Sequence, residues 1–428
     1  MKIVYLAAGA GNMYCGSCMQ GNTLVAALRS QGHNCLLLPL YTPLRTDEPN
    51  LSDDRVVFGG INVYLQQHST VFRHTPWAFD RLFDRPALLR WATNRSSSVR
   101  PEHLGALTVS MLRGERGRQR KEVAKLLRCL AELNPDLVHL NNALLLGVAG
   151  PIRRKLGVPV VCSLSGEDSF LEKLPEPYRG EALEVLQQQA AEAAVLVAMN
   201  NYYAEFMAHY LAVPLERIEV VPPGLNLADH GTRQPHAGPP IVGFLARICP
   251  DKGLHHLTAA LKILAADQRL PPVEVHAAGY CDAADRPYLQ EIKREMVDGR
   301  LSSRFRYLGE LHRSAKIAFL QSIDVFCLPT VYHESKGLPV LEAWANAVPA
   351  VLPRHGTFPE LIADTGGGLL CEPEDPAALA SSLQHLLTDQ RFADRCGRQA
   401  QQAVHLRYTA GEMACRMSEV YQRIVEEG

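Results

Sequence analysis

Short apolar runs alternate with helix-like segments twice along this chain, and the alternation restarts after a stretch with no periodicity. In the first half the runs are KIVYLAA (2–8), CLLLPL (35–40), DLVHL (136–140), VPVVCSL (158–164), AVLVAMN (194–200) and IEVVPPG (218–224), with helical patterns near 19–31 and 180–193. The second half has PIVGFLA (240–246), VEVHAAG (273–279), RFRYLGE (304–310), DVFCLPT (324–330) and VPAVLP (348–353), with a helix at 254–266. Continuous apolar strands joined by helices require a parallel sheet with right-handed crossovers. Two such series predict two doubly wound, Rossmann-like α/β domains facing a central cleft. In such sheets ligands bind outside the carboxyl ends of the strands.

The expected boundaries follow from where the pattern stops. A first domain covers 1–230, the Gly/Pro-rich GTRQPHAGPP (231–240) is a linker, and a second domain covers 241–408. The segment 409–428 reads as a terminal helix. Residues 68–122 break the alternation: Arg is frequent, and Trp77, Phe79, Leu82, Phe83, Leu88, Leu89 and Trp91 are interleaved. Two readings stand for this segment. One is an excursion packed on the first domain, and the other is an acceptor or membrane-surface contact.

Composition narrows the class. Over 428 residues the net charge is -1, so no global field draws the chain to nucleic acid. The 11 cysteines are an odd number, scattered from Cys15 to Cys415, and many lie in apolar runs. That pattern suits reduced thiols in the cytoplasm rather than a disulfide framework. Cys15 and Cys18 have motif spacing but no second ligand pair, so no metal site is expected. The opening apolar run is too short for a signal core, and no run of about 18 apolar residues marks a membrane span.

Three strings carry chemistry. The first is His333-Glu334-Ser335-Lys336-Gly337-Leu338-Pro339-Val340-Leu341-Glu342-Ala343, between a strand and a helix. It places Glu334 on a loop at a strand's carboxyl end and Glu342 inside the following helix. Gly337 allows close approach of a ligand, Pro339 suits a first helical turn, and the free N–H groups there favour an anion. The second string is Ala246-Arg247-Ile248-Cys249-Pro250-Asp251-Lys252-Gly253. Its guanidinium fork and its ammonium suit phosphate oxygens. The third is the loop Gly9 to Gly16, a near match to a dinucleotide fingerprint with Tyr14 in place of a glycine. It is read as a close approach to a diphosphate or an acceptor, not as an NAD site.

Together these strings resemble the retaining glycosyltransferases of family 4, which have the GT-B architecture. Glu334 and Glu342 fit its E-x7-E pattern, and Arg247 through Gly253 fits its G-R-x4-K-G pattern with Ala246 in the glycine place. Val221 through Asn226 is similar to its strand-end turn, and Gly356 through Ile362 and Gly368 through Leu370 are similar to its later loops. The resemblance implies transfer of a sugar from a nucleoside-diphosphate sugar to a hydroxyl acceptor, with no bound metal or other cofactor. It implies that Arg247 and Lys252 hold the donor diphosphate, Glu342 the ribose hydroxyls, and Glu334 the transferred sugar. It adds the Gly337 and Leu338 amides, with Lys336 and Pro339 beside them, and Gly16 from the first domain. The terminal helix is expected to cross back onto that domain.

Two departures stand out. Many members have a histidine where Ser165 stands, followed here by Gly166, Glu167 and Asp168; Ser165, Glu167 and Asp168 become the candidate sugar or acceptor contacts. Lys336 stands where an aromatic residue is common. Because the family's sites lack an obvious nucleophilic carboxylate, front-face transfer is expected, with the diphosphate taking the acceptor's proton. A GT-B epimerase or phosphorylase, or a non-catalytic nucleotide-sugar binder, remains open on the residues alone. The expected location is cytoplasmic, with 68–122 a candidate contact to the inner face of a membrane.

Overall fold

The computed structural model describes residues 1–9, 15–53, 56–58, 60–68, 104–234, 236–268 and 270–427. The chain divides into two compact units, Met1–Gly224 with Ala410–Gly428, and Leu225–Thr409.

The first unit is built on six parallel strands: β1 (Lys2–Ala7), β2 (Asn34–Pro39), β3 (Leu137–Leu140), β4 (Val160–Ser163), β5 (Val195–Ala198) and β6 (Ile218–Val220). Their order is β2-β1-β3-β4-β5-β6. Alternate residues of β1 feed two different cores, because successive strand side chains point to opposite faces. Val4 and Leu6 pack with Leu38, Leu126, Leu140 and Leu146 on one face. Ile3 and Tyr5 pack on the other with Leu24, Leu28, Met413, Met417 and Tyr421. The last three belong to the terminal helix Ala410–Glu427, which therefore forms part of this unit's core. Burying each such side chain is worth roughly 1.5–3 kcal/mol, enough to hold the helix in place.

The second unit has β7 (Ile241–Leu245), β8 (Glu274–Ala278), β9 (Phe305–Tyr307), β10 (Val325–Cys327), β11 (Ala350–Pro353) and β12 (Gly368–Cys371). All pair in parallel, in the order β12-β11-β10-β7-β8-β9. This is the doubly wound order, and chain direction across the sheet reverses between β7 and β10. Phe244, Phe326, Val351 and Trp344 fill the core, and the Trp344 indole N–H donates to the Gly367 carbonyl at 2.8 Å.

Several expectations shift. Strands β6 and β10 end earlier than their apolar runs, because Pro222, Pro223 and Pro329 lack the N–H that would extend a ladder. Gly368 to Leu370, read as a loop, opens the edge strand β12; its residues are mostly half-buried, so no apolar run marked it. Of the expected linker, residues 231–234 are held on the second unit. Arg233 pairs with Asp324 and Asp394 at 2.8 Å each, and its backbone N–H donates to the Asn346 carbonyl at 2.8 Å. Within 68–122, the helix Gly105–Leu112 buries Val109 and Leu112 in the first unit's core, and the helix Arg120–Leu133, which starts there, carries on past it and buries Val123, Leu126 and Leu127. The Trp77 to Trp91 stretch, which suggested membrane contact, lies outside the described residues. Among the described residues no helix is long and apolar enough to cross a membrane.

Candidate functional site

Two loops leave the second sheet at its topological switch point, one after β7 and one after β10. The β7 loop ends in a 3₁₀ turn, Pro250–Lys252, closed by Gly253 at φ 75°. A β-carbon on Gly253 would lie 1.7 Å from the Pro329 carbonyl oxygen, so only glycine lets the turn sit against the end of β10. The Val331 N–H then donates to the Asp251 carbonyl at 2.9 Å and ties the loops together.

That approach sets the central contact. The Lys252 ammonium lies 2.8 Å from Glu334 Oε2. The Tyr332 hydroxyl bridges the pair, accepting from Lys252 and donating to the same carboxylate oxygen. Glu334 Oε1 accepts the backbone N–H groups of Ser335 and Lys336 at 3.2 Å each. The Glu334 carbonyl in turn accepts the Thr357 N–H at 2.8 Å, and His355 Nε2 meets the Thr330 carbonyl at 2.9 Å. These bonds pin the loop from the β11 side.

Glu334 is 4% exposed. Burial alone raises a carboxyl's pKa, but the Lys252 charge, the bonds from Lys252 and Tyr332 and the nearby Lys336 outweigh it, holding Glu334 down at about 2. The same balance acts on Lys252, where burial favours the neutral amine and the Glu334 charge prevails, so its pKa rises. Tyr332 is raised as well, by burial and then by Glu334. The triad therefore carries one fixed cation, one fixed anion and a neutral phenol at any working pH.

Beside it the helix Leu338–Ala345 begins, with Pro339 in its first turn and Gly337 as cap at φ 69°. A β-carbon on Gly337 would lie 2.5 Å from Leu361 Cδ1, so this glycine answers to the cap's backbone angle and to Leu361. One turn on, Glu342 Oε1 receives the Lys316 ammonium from the helix Arg313–Gln321. Arg247, at the end of β7, is exposed, and its Nε donates to Cys249 Sγ at 3.4 Å. The structure thus joins Lys252 to Glu334 directly and leaves Arg247 on the surface at the same strand end.

In the first unit, Gly16 opens the helix Gly16–Ser30; residues 10–14 of its glycine-rich loop lie outside the described residues. Ser165 and Glu167 are buried. Glu167 Oε1 accepts the Ala143 N–H at 2.7 Å and the Ser165 hydroxyl at 3.2 Å, and Oε2 accepts the Ser165 N–H at 2.7 Å. Oε1 thus braces the loop after β4 against the loop after β3, while Oε2 closes the β4 loop on itself and accepts the Tyr203 hydroxyl at 3.4 Å. Asp168 is half-buried and accepts the Tyr203 hydroxyl at 2.7 Å. All 11 cysteines are free thiols. Among the described residues no cluster of three or more His, Cys, Asp or Glu side chains could hold a metal ion.

Sequence reasoning missed Tyr332 and Lys316. Tyr332 stands two residues before Glu334, close enough to be suspected. Lys316 lies in RSAKIAF, which reads as an ordinary helix surface.

Comparison with known proteins gives the family. Residues 229–403 match the model of glycosyl transferases group 1, and residues 22–229 match that of glycosyltransferase family 4. A GDP-mannose-dependent alpha-mannosyltransferase of Mycolicibacterium smegmatis is 30% identical over 278 residues, 62% of this chain and 69% of that protein. This chain is a family 4 glycosyltransferase. A D-inositol 3-phosphate glycosyltransferase of Corynebacterium efficiens is also 30% identical, but the match spans 54% of the chain and only 56% of that protein. The glycosyltransferase has the two-domain GT-B fold. It superposes on sucrose-phosphate synthase from Thermosynechococcus elongatus with a TM-score of 0.74 at 17% identity, covering 100% of both chains. Against Anabaena HepE, solved with UDP, the TM-score is 0.68 at 18% identity, covering 99% of this chain and 100% of that one.

Proposed function

We propose that this glycosyltransferase takes its sugar from a nucleoside-diphosphate donor and passes it, with retention, to a hydroxyl acceptor. The observation that supports this best is the Lys252–Glu334 pair, its carboxylate buried, at the switch point of the second sheet, beside the start of the Leu338–Ala345 helix. Lys252, Arg247 and Lys336, with the amides at Gly337 and Leu338 and the first turn at Pro339, offer cations and free N–H groups to a diphosphate. Stabilising the charge that grows on that leaving group lowers the barrier. These cations supply the countercharge, so the proposed reaction calls on no metal or other cofactor. Glu342 accepts the ribose hydroxyls and Glu334 those of the transferred sugar. Gly16 of the first unit approaches the diphosphate, and Asp168, with Ser165 and Glu167 behind it, is the candidate for sugar or acceptor contact. The GDP-mannose dependence of the mycobacterial relative and the UDP-glucose complex of HepE support the same donor class.

Glu334 argues against a double displacement. Both its oxygens already accept hydrogen bonds, and its charge is held by Lys252, which makes it a poor nucleophile. In front-face transfer the C1–O bond to the diphosphate breaks and the diphosphate leaves with the electron pair. The acceptor oxygen bonds to C1 on the same face and gives its proton to a diphosphate oxygen. Peripheral contact of 68–122 with an anionic membrane at the inner face, in the cytoplasm, belongs to the same proposal. The test is incubation of the purified protein with UDP-, ADP- and GDP-hexoses and a panel of hydroxyl acceptors, with product anomers assigned by NMR. A product of the donor's configuration is expected. An inverted product, or an isolable sugar ester of Glu334 or Asp168, would overturn the course.

A further inference from the structure

Glu342 is held by more than its own helix. Its backbone carbonyl accepts the Asn346 side-chain amide at 2.9 Å, which fixes the end of the helix. Its Oε1 is bound by Lys316, which reaches it from a different helix and is itself 7% exposed. The helix that presents Lys316 is anchored by Phe319 and Leu320, which are buried in the second unit's core. Glu342 is half-buried, and no other described donor binds its second carboxylate oxygen. One oxygen is anchored and the other is presented.

We infer that Lys316 is a positioning residue that aims the free oxygen of Glu342 at the 2′-hydroxyl of a ribose, so that it sets the enzyme's preference for ribonucleotides over 2′-deoxyribonucleotides. This rests on the nucleotide-sugar reading above. A carboxylate free to swing among rotamers accepts a hydroxyl only after losing that freedom. A carboxylate already tethered through one oxygen meets the ligand in place. Removing the tether costs only the part of the binding that passes through the ribose 2′-hydroxyl. It does not touch the diphosphate contacts.

The experiment measures affinity for UDP, ADP and GDP and for their 2′-deoxy forms by calorimetry, in wild type, K316M and K316R, each shown by circular dichroism and cooperative melting to be folded. Wild type is expected to prefer the ribonucleotide by about tenfold, the lower end of what a hydrogen bond to a charged acceptor is worth. K316M is expected to bind the 2′-deoxy form as wild type does and the ribonucleotide about tenfold more weakly, which brings the ratio close to one. K316R keeps a cation at the site and is expected to restore most of the preference. Should K316M not melt cooperatively, the shorter and uncharged K316Q takes its place with the same expected result. A folded variant with the wild-type ratio overturns the assignment. Equal weakening toward both forms, or a K316R ratio no better than that of K316M, overturns it too, since each marks a general structural role. Wild-type binding with no ribose preference removes this inference alone. Failure of wild type to bind any of the three diphosphates removes the donor reading with it.

Discussion

Lys252 and Glu334 stand 82 residues apart in the chain and 2.8 Å apart in the fold. They meet because β7 and β10 are neighbours in the sheet although β8 and β9 come between them in sequence. The pair is where folding energy and the proposed chemistry coincide.

Replacing Lys252 with Met strands a buried carboxylate. The loss of stability should approach the 3–5 kcal/mol typical of broken buried pairs, taking roughly the lower end because Lys252 is partly open to solvent. Chemical denaturation measures this. Sugar transfer should fall by about a hundredfold or more, since the leaving diphosphate loses its cation. E334Q keeps the shape and should lose less stability than K252M while turnover still falls.

Tyr332→Phe removes the phenol bridge but leaves the ion pair. The expected cost is about 1–2 kcal/mol, the worth of hydrogen bonds to charged groups less the relief of burying a hydroxyl. Turnover should fall less than in K252M. Donor KM and kcat, compared across the two variants, check whether the bridge only orients its neighbours.

Acid should act on the two units in different windows. Glu334 is depressed to about 2 in the fold, so its contribution is present above the ordinary carboxyl value and is lost as pH falls from about 4.5 toward 2. In the first unit, burial lowers His139 to about 3, its ring nitrogens sharing hydrogen bonds with Tyr421 and Ser163 at 2.5 and 2.8 Å. The unfolded chain takes up that proton from about pH 6.5 downward, so the first unit should begin to weaken there, before the second. Melting curves against pH, read for H139Q and E334Q, separate the windows. E334Q should flatten only the lower one.

Gly253→Ala sets a methyl 1.7 Å from the Pro329 carbonyl oxygen and at φ 75°. Gly32→Ala has a similar angle, φ 87°, with nothing within 4 Å, and serves as the control. The control should lose about 1–2 kcal/mol from the left-handed backbone alone. Gly253→Ala should lose clearly more and should impair transfer, because the clash parts Lys252 from Glu334. Equal stabilities for the two would contradict the packing described at the switch point.

If 68–122 meets an anionic bilayer, binding to vesicles with about 30% phosphatidylserine should weaken steeply between low and physiological salt, as screened charge contacts do. Co-sedimentation measures it. No binding at low salt would remove the membrane part of the proposal.

Strand alternation alone was enough to read two parallel α/β units, because a strand buried on both faces must be apolar whatever its neighbours are. The string from His333 to Ala343 and the one from Ala246 to Gly253 marked both site loops for a similar reason. Caps, tight turns and first-turn prolines are local demands on residue type. Strand ends and the edge strand β12 were harder to read, since half-exposed residues leave no apolar signature. Glu167 could be nominated as a sugar contact because a sequence does not show that Ala143 and Ser165 already claim its oxygens.

What the sequence by itself determined was the inventory: which elements form, which loops carry charge, and which glycines and prolines shape them. Partnership was left to the tertiary structure. Lys252 with Glu334, Tyr332 across both, and Lys316 on Glu342 are joined by the order of strands and the packing of separate helices. Those arrangements depend on contacts summed over a whole core, and no local run of residues contains them.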